Sequence, residues 1–549
     1  ALPIWAAFVT SGDVTNPLVC TAWADTAEGE RNSGTTQGTF TEVTDETTLK
    51  KAVADGKSVR MTRDITLTSS LYIEKAVTLD MDGHMLTRMH TYEYDMVVIR
   101  SDATLTLIDS NTGNLQHRFN AGETGWTKAA DNATGDGIVT VTGGVIYGDA
   151  GSNIINPCGI KILKGKLEMY GGSIVGIRND YNANGGGVYV SDQCTFNMYG
   201  GSIKGCYVFS DGGGVYVAAG GTFTMSGSSA ITNCKGSRGG AVYNAGTFTM
   251  RDNSHIADCI YISSIAGGGG VHNKGTFNVE GGSITGSVND HNREQSSDDI
   301  CIEGTLNAGI TIACNVNVVD GGTISKGTFT GRVWIYSEGT ILDGTFANEV
   351  INYEGRIKAG EFTGKIENSY GKIDGGTFRG SVTSSGYNAI ISDGNFHGTV
   401  TNESGATISG GTFDENVTNK TYAILNGGIF YGGVTNDGGK IEDGAYETVK
   451  FNSDNGAQAK EEKVLRGQKV AKPTDDPTKS GYTFIGWEDA DGAGAYDFNT
   501  PVTAPLTLTA KWEKVPSSGG YYYYQPTTDT KTDDAKGSPK TADPGVALY

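Results

Sequence analysis

Short alternating segments recur along the middle of the chain. From about residue 185, a unit of 25 to 29 residues repeats: an alternating apolar triplet, then Thr-Phe-x-Met, then an isoleucine. Each segment is short, rich in β-forming residues and bounded by glycine, which predicts strands rather than helices. Because side chains alternate along a strand, Val188 and Val190 share one face and Tyr189 lies on the other. The apolar set is therefore predicted to face inward.

After about residue 320 the repeat shortens to 16 to 18 residues. Each unit carries an aromatic residue at a regular position, with an apolar residue five positions before it and, in seven of the eight units, a valine or isoleucine four positions after it. The aromatic residues are Phe329, Phe346, Phe362, Phe378, Phe396, Phe413, Phe430 and Tyr446. This register predicts three inward apolar residues per coil, one for each face of a slim prism.

One such coil cannot bury its own apolar residues, but stacked coils form continuous ladders. The chain is therefore predicted to be all-β: a right-handed parallel β-helix solenoid with three short strands per coil. Residues 47–53 predict a short helix before the first strands, and residues 77–84 read Val-Thr-Leu-Asp-Met-Asp-Gly-His. This opening resembles that of pectate-lyase-like β-helix proteins. The resemblance implies a helix that covers the exposed end of the first coil.

Residues 448–514 break the repeat. The segments 449–452, 481–487, 496–502 and 506–512 together resemble the Listeria–Bacteroides repeat, the B-repeat module of internalin-type surface proteins. The resemblance implies a small β-grasp-like domain that serves as a spacer or contact module, with Trp487 and Trp512 in its core. Five regions are expected: an N-terminal segment with a possible signal remnant (1–42), a capped β-helix with wide coils (43–320), a β-helix with short coils (321–447), the B-repeat-like domain (448–514), and a linker (515–549).

The linker ends in a motif similar to a sortase sorting signal, Leu-Pro-x-Thr-Gly. The motif comprises Ser538, Pro539, Lys540, Thr541 and Ala542, with Ser for Leu and Ala for Gly. The resemblance implies attachment to the cell wall of a Gram-positive bacterium, with the Thr541 carbonyl as the acyl donor. The two departures from the usual motif place recognition by a standard sortase in question.

The net charge limits the classes of partner that the chain is expected to bind. The formal net charge is −20, so nucleic acid and anionic lipid are expected to be repelled. Apolar runs stay shorter than a membrane-spanning helix requires. The sequence has none of the spacings typical of zinc, P-loop or dinucleotide sites, so neither a metal nor a cofactor is expected. A secreted or wall-attached location is expected.

One row of residues is a candidate ligand-binding surface. Tyr189, Tyr216, Tyr243 and His272 occupy the same outward strand position in successive coils. Aromatic faces suit sugar rings or protein partners, but the rings could equally serve to stabilise the sheet by stacking on one another. Candidate carboxylates for catalysis are Asp80 and Asp82 beside His84, and the pair Asp192 and Asp211; none is assigned a catalytic role.

The cysteines follow the coil register. Cys206, Cys234 and Cys259 each lie three residues after an inward isoleucine and are expected to form a buried ladder of thiols, with a disulfide between neighbouring coils as the alternative. Cys301 and Cys314 flank the change of period and are the better disulfide candidates.

These observations favour a wall-attached adhesin or display stalk that binds an extracellular glycan or host protein. The alternative is a secreted polysaccharide lyase or glycoside hydrolase on the same scaffold, which would require clustered carboxylates. A remote third reading rests on outward threonine rows, such as Thr222 and Thr224, that resemble those of ice-binding β-helices.

Overall fold

The computed structural model describes residues 39–89, 94–111, 115–122, 124–148, 158–180, 183–263, 267–289, 299–492 and 494–516. The described residues divide into two compact units. The first holds the chain up to residue 448 together with 463–470 and 498–505. The second holds 449–462, 471–497 and the residues from 506 onward.

A single helix, Glu46–Asp55, precedes the first complete coil. It begins with a capping box, in which Asp45 accepts from the backbone N–H of Thr48 at 2.9 Å, and ends at Gly56 in the left-handed conformation (φ 78°). Leu49, Ala52 and Val53 are buried, and the helix packs against the first strands. The expected N-terminal helix is therefore present.

The first unit is a parallel β-helix built from four parallel sheets, numbered 1 to 4 here. Sheet 1 has 24 strands, sheet 2 has eight, sheet 3 has five and sheet 4 has sixteen among the described residues. One wide coil runs through Val188–Val190 in sheet 4, Thr195–Met198 in sheet 1, Ser202–Lys204 in sheet 2 and Tyr207–Val208 in sheet 3. The wide coils from Arg178 to Asn289 thus carry a fourth strand beyond the three predicted. The sequence did not predict this strand, because two residues are too few to show alternation.

The strands of sheet 1 are Thr41–Val43, Val59–Met61, Val77–Asp80, Ala103–Ile108, Gly165–Met169, Thr195–Met198, Thr222–Met225, Thr247–Met250, Thr276–Val279, Thr305–Ile312, Thr323–Phe329, Thr340–Ile341, Thr345–Phe346, Arg356–Ile357, Glu361–Phe362, Lys372–Ile373, Thr377–Phe378, Ile390–Ile391, Asn395–Phe396, Thr407–Ile408, Thr412–Phe413, Ile424–Leu425, Ile429–Phe430 and Lys440–Ile441. Those of sheet 2 are Ile65–Leu67, Met85–Arg88, Val145–Tyr147, Ser173–Val175, Ser202–Lys204, Ala230–Thr232, His255–Ala257 and Ser283–Thr285.

The strands of sheet 3 are Arg178–Asn179, Tyr207–Val208, Lys235–Gly236, Ile260–Tyr261 and Val288–Asn289. Those of sheet 4 are Leu71–Ile73, Val97–Ile99, Ile160–Ile162, Val188–Val190, Val215–Val217, Val242–Asn244, Val271–Asn273, Ile300–Ile302, Val316–Val318, Val333–Ile335, Val350–Tyr353, Ile366–Ser369, Val382–Ser385, Val400–Glu403, Val417–Lys420 and Val434–Asp437.

The inward apolar residues form the core that the sequence predicts. In the short coils the phenylalanines from Phe329 to Phe430 stack at centroid distances of 4.6 to 5.1 Å with nearly parallel rings. In the wide coils the row from Phe196 to Phe277 stacks at 4.7 to 4.9 Å. The two rows are separate columns of sheet 1, because Phe277 pairs in register with Leu306, whereas Phe329 pairs with Ile312. Within each column the rings stack because the parallel strands are in register.

An antiparallel insertion interrupts the wide coils. Its strands are Gln116–Asn120, Thr127–Lys128 and Ile138–Thr142. Phe119 and Trp126 pack with Tyr147 in a small separate core, and the Trp126 N–H donates to the carbonyl of Gly205 at 3.1 Å. This insertion lies outside the repeat, so the repeat did not predict it.

The chain from Tyr446 onward contains a four-stranded sheet. Its strands, in spatial order, are Lys460–Leu465, Tyr446–Asn452, Leu506–Lys514 and Tyr482–Glu488, and the 3₁₀ turn Asp443–Ala445 lies just before them. Trp487 is 4% exposed and packs edge-on against Phe451 and Phe484. Trp512 contacts Phe484 and donates its Nε1–H to the carbonyl of Ser453. Both tryptophans therefore pack within this small β domain, as expected.

Candidate functional site

The four residues of the candidate aromatic row lie side by side on the outer face of sheet 4. Tyr189, Tyr216, Tyr243 and His272 pair in register on neighbouring parallel strands. Each successive pair of rings has a centroid distance of 5.1 Å, and the interplanar angles are 12°, 1° and 8°. The structure therefore brings the row together as one stack, while its role in binding stays a prediction.

The side chains of the row are less exposed to solvent than those on a flat, uncovered sheet face would be. Tyr189 and Tyr216 are half-buried, whereas Tyr243 is 5% exposed and His272 is fully buried. The Arg238 guanidinium lies over the Tyr243 ring, 5.1 Å from its centroid. Only the Tyr189 and Tyr216 end of the stack is accessible, because charged side chains fold over the rest.

Ion pairs line both sides of the stack. Asp211 accepts two hydrogen bonds from the Arg238 guanidinium, at 3.0 Å from Nε and 2.7 Å from Nη2. On the far side, Glu303 lies between His272 Nε2 at 2.9 Å and Lys274 Nζ at 2.7 Å. These two partners hold the pKa of Glu303 at about 2. Both carboxylates are therefore paired with cationic side chains.

Two tyrosines of the row, Tyr216 and Tyr243, keep their phenolic protons. Burial raises the pKa of Tyr216, and it raises that of Tyr243 to about 12. Lys161, which is paired with Asp95 at 3.1 Å, lies 5.7 Å from the centroid of the Tyr189 ring. The accessible end of the row thus offers neutral aromatic faces beside a cation that is already paired.

The other carboxylates singled out from the sequence do not converge. Asp80 is fully buried, pairs with Arg60 at 2.8 Å and accepts from the backbone N–H of Ser110, so it holds adjacent coils together. Asp192 follows the strand Val188–Val190, whereas Asp211 precedes the neighbouring strand Val215–Val217. Asp192 and Asp211 therefore do not face each other as a candidate pair would, since they lie at opposite ends of neighbouring strands of sheet 4.

Asp82 and His84 also serve the turn rather than a shared site. The backbone N–H of Asp82 donates to Asp80, and Asp82 adopts a positive φ of 44°. His84 Nδ1 lies 3.5 Å from Asp64. Within the described residues, no group of three or more His, Cys, Asp or Glu side chains is arranged to hold a metal ion.

The expected thiol ladder is present. Cys206, Cys234 and Cys259 are fully buried free thiols, and burial raises the pKa of Cys206 and Cys259. The possible disulfide between Cys301 and Cys314 does not form in this structure. Cys301 alternates with the core residues Ile300 and Ile302 and so faces away from the core, whereas Cys314 packs against the core.

A cleft of about 190 Å³ lies beside the antiparallel insertion. Trp126, Cys206, Asn233, Lys235 and Asp258 are among its lining residues. Ligand pockets for drug-sized molecules usually exceed about 300 Å³. The cleft is therefore too small to enclose such a ligand.

A second set of exposed aromatic residues went unnoticed in the sequence. The turn from sheet 4 to sheet 1 in the short coils carries exposed tyrosines: Tyr336, Tyr353, Tyr370, Tyr387 and Tyr422. Their spacings are 17, 17, 17 and 35 residues. They do not share one register position: Tyr353 pairs with Ser369, and Gly386 and Gly405 of the next coils lie against the rings of Tyr370 and Tyr387. The period of the phenylalanines therefore does not predict them.

The fold and its surface rows define a parallel β-helix that presents aromatic side chains on its outside. Residues 448–511 match the Listeria-Bacteroides repeat domain family, which is typical of surface proteins. Comparison with curated proteins and with solved structures finds no match. Among the described residues, no helix is long and apolar enough to cross a membrane. The sorting motif 538–542 lies outside the described residues.

Proposed function

We propose that this chain is a cell-surface adhesin or display stalk whose β-helix binds an extracellular glycan or host protein. The observation that carries the proposal is the Listeria-Bacteroides repeat at 448–511, joined to a long parallel β-helix. A solenoid of this kind offers an extended binding surface rather than one deep pocket. The cleft of about 190 Å³ beside the insertion is too small to enclose a drug-sized ligand.

The linker supplies the proposed attachment. Ser538, Pro539, Lys540, Thr541 and Ala542 form the degenerate sorting signal through which a sortase of a Gram-positive bacterium would join the Thr541 carbonyl to the wall. The β-helix, which resembles pectate-lyase-like proteins in its opening, would then be displayed outside the cell. A net charge of −20 keeps such a displayed chain soluble.

The chemistry of the aromatic row favours binding over catalysis. Asp211 and Glu303 are each neutralised by a cation at 2.7 Å, whereas a general acid or base needs a carboxylate that can exchange its proton near neutral pH. The half-buried rings of Tyr189 and Tyr216 offer apolar faces to a sugar or a protein side chain.

A binding screen tests the proposal. Purified full chain is applied to a glycan array and to a panel of host extracellular proteins, alongside a Tyr189→Ala plus Tyr216→Ala variant. The matched control is Tyr72→Ala, an exposed tyrosine on the same sheet whose ring lies under Arg100. We expect a ligand that the control retains and the row variant loses. Retention by both variants would remove the row from the proposed function.

Two further results would overturn the wider proposal. Release of unsaturated or reducing-end sugars from a polysaccharide by the purified chain would make it a lyase or hydrolase. Recovery of the protein only in the medium of the producing bacterium, with a Thr541→Ala variant distributed identically, would exclude attachment by sortase. A wall-linked peptide ending at Thr541 is the expected product in mass spectrometry of digested cell walls.

A further inference from the structure

The phenylalanine column of the short coils ends in a ring that is still fully buried. Among the described strands, Ile429–Phe430 is the last that pairs in this row of sheet 1, with Thr412–Phe413 on its inner side. Each coil of a solenoid buries its apolar residues only against its neighbours, so the last ring of an uncovered column would lie in solvent. Phe430 is fully buried nevertheless, so another part of the chain covers it.

The covering residues belong to the segment that matches the Listeria-Bacteroides repeat. Residues 463–470 and 498–505 lie inside that match, which spans 448–511, but they fall in the same compact unit as the β-helix. Leu465 packs against the core of the β-helix. Part of the repeat is therefore, by its contacts, part of the solenoid.

The backbone groups at this sheet edge bond to the segment as they would to a further coil. In the preceding step, the carbonyl of Phe413 accepts from the Tyr431 N–H at 2.8 Å. At the edge itself, Gln468 Nε2 donates to the carbonyl of Phe430 in place of a backbone N–H. The Phe430 N–H donates to the carbonyl of Arg466 at 2.8 Å. The segment thus satisfies the polar groups that an open sheet edge would leave unpaired.

A close backbone approach and an ion pair hold the segment in place. Gly467 adopts a φ of 91°, and a Cβ atom added to it would lie 2.7 Å from the backbone nitrogen of Phe430. Only glycine permits both this backbone conformation and this approach. On the other side, Arg466 Nη2 lies 2.7 Å from the carboxylate of Glu447, which is buried. The contact is therefore specific to the residue types of this segment.

We propose that the Listeria-Bacteroides repeat supplies the C-terminal cap of the β-helix, and that the last coils depend on this cap for their stability. The cap comprises residues 463–470 and 498–505, joined by a hydrogen bond of 2.7 Å from the Gly467 N–H to the carbonyl of Val502. It is the counterpart of the helix Glu46–Asp55, which packs on the first strands. The ends of solenoids require caps against edge-to-edge association. The inference goes beyond the proposed function, because it holds for an adhesin and for an enzyme alike.

Hydrogen exchange of the full chain, followed by mass spectrometry, tests the cap with two glycine variants. Gly467→Ala places a methyl group against the Phe430 backbone. Gly456→Ala is the matched control, because Gly456 has a similar φ of 88° in the same repeat while nothing lies within 4 Å of its added Cβ. We expect amides of the strands Ile424–Leu425 and Ile429–Phe430 to exchange about tenfold faster in Gly467→Ala than in the control.

A second variant, Gln468→Ala, removes the side-chain donor without adding bulk, so it serves even where Gly467→Ala fails to fold. Its control is Lys469→Ala, an exposed neighbour. The last coils should exchange about threefold faster in Gln468→Ala than in Lys469→Ala. Three outcomes would overturn the proposal: equal exchange of the last coils in each variant and its control, loss of protection in the four-stranded sheet alone, or equal acceleration through all the short coils. The last outcome counts because a cap acts most on the coils beside it.

Discussion

A column of buried asparagines along the short coils contains a gap that a single substitution should fill. In this column the Nδ2 of each asparagine donates to the Oδ1 of the next: Asn352 to Asn368 at 2.7 Å, and Asn402 to Asn419 at 3.0 Å. Ser384 interrupts it. The Oγ of Ser384 accepts from Asn368 at 3.1 Å, but Asn402 Oδ1, in register with it on the next strand, is buried without a hydrogen-bond partner.

The substitution Ser384→Asn should therefore stabilise the helix. Its Oδ1 would accept from Asn368, and its Nδ2 would donate to Asn402 Oδ1. An unsatisfied buried acceptor costs about 1 to 3 kcal/mol, and ordering the longer side chain costs up to about 1 kcal/mol. The expected net gain is about 1 kcal/mol. The same logic explains Asn352 Oδ1, which also lacks a donor, because the preceding coil places Ile335 at that position.

Hydrogen exchange is the appropriate assay, since a long repeat array need not unfold in one step. Amides of the strands Val382–Ser385 and Val400–Glu403 should exchange about fivefold more slowly in Ser384→Asn. Ser385→Asn, on the opposite face of the same strand, is the matched control and should leave exchange unchanged. Equal or faster exchange in Ser384→Asn would refute the reasoning, and so would a gain that persists when Asn402 is replaced by Ala.

Two other predictions concern charge and thiol chemistry. His272 and Lys274 depress the pKa of Glu303 to about 2, below its ordinary 4.5, so its stabilising effect is complete above pH 4.5 and is lost as pH falls toward 2. In acid titrations followed by circular dichroism, Glu303→Gln should lower the free energy of unfolding by up to about 3 kcal/mol at pH 7. The free energy of unfolding of this variant should also fall less steeply between pH 4.5 and 2, and curves parallel to those of the unaltered chain would contradict the role assigned to Glu303. Cys206, Cys234 and Cys259 should resist a thiol reagent until the chain unfolds, because all three are fully buried; rapid reaction of the native protein, with Cys206→Ser removing one equivalent, would show that the wide coils open locally.

The sequence was a reliable guide to residues that repeat. The inward column from Phe329 to Phe430 and the thiols from Cys206 to Cys259 follow directly from period and alternation. Features outside the period were missed, as the packing of Trp126 from an antiparallel insertion shows. The possible disulfide between Cys301 and Cys314 does not form, because nearness in sequence does not reveal that Cys301 faces away from the core against which Cys314 packs.

The candidate site was predictable only in part, for a related reason. Register places Tyr189 beside Tyr216, so their stacking follows from the sequence. The cover that Arg238 gives Tyr243 does not, because Arg238 belongs to a loop whose path depends on the loops beside it. The exposure of a side chain in the row depends on the loops beside it, whereas its position in the row follows from the repeat.

In a parallel β-helix, equivalent residues of successive coils form a row. The role of a row can therefore be inferred from the contacts that its side chains make with one another. The phenylalanine column is satisfied by its own neighbours, because rings stack on rings. The asparagine column is satisfied in the same way except at its two gaps, Asn352 and Asn402. The exposed tyrosines of the short-coil turns differ, since Tyr370 and Tyr387 lie over glycines of the next coils instead of stacking in a column. The positive φ angles of these turns belong to the coil rather than to tyrosine, because Glu338, Glu354 and Ser404 adopt them too.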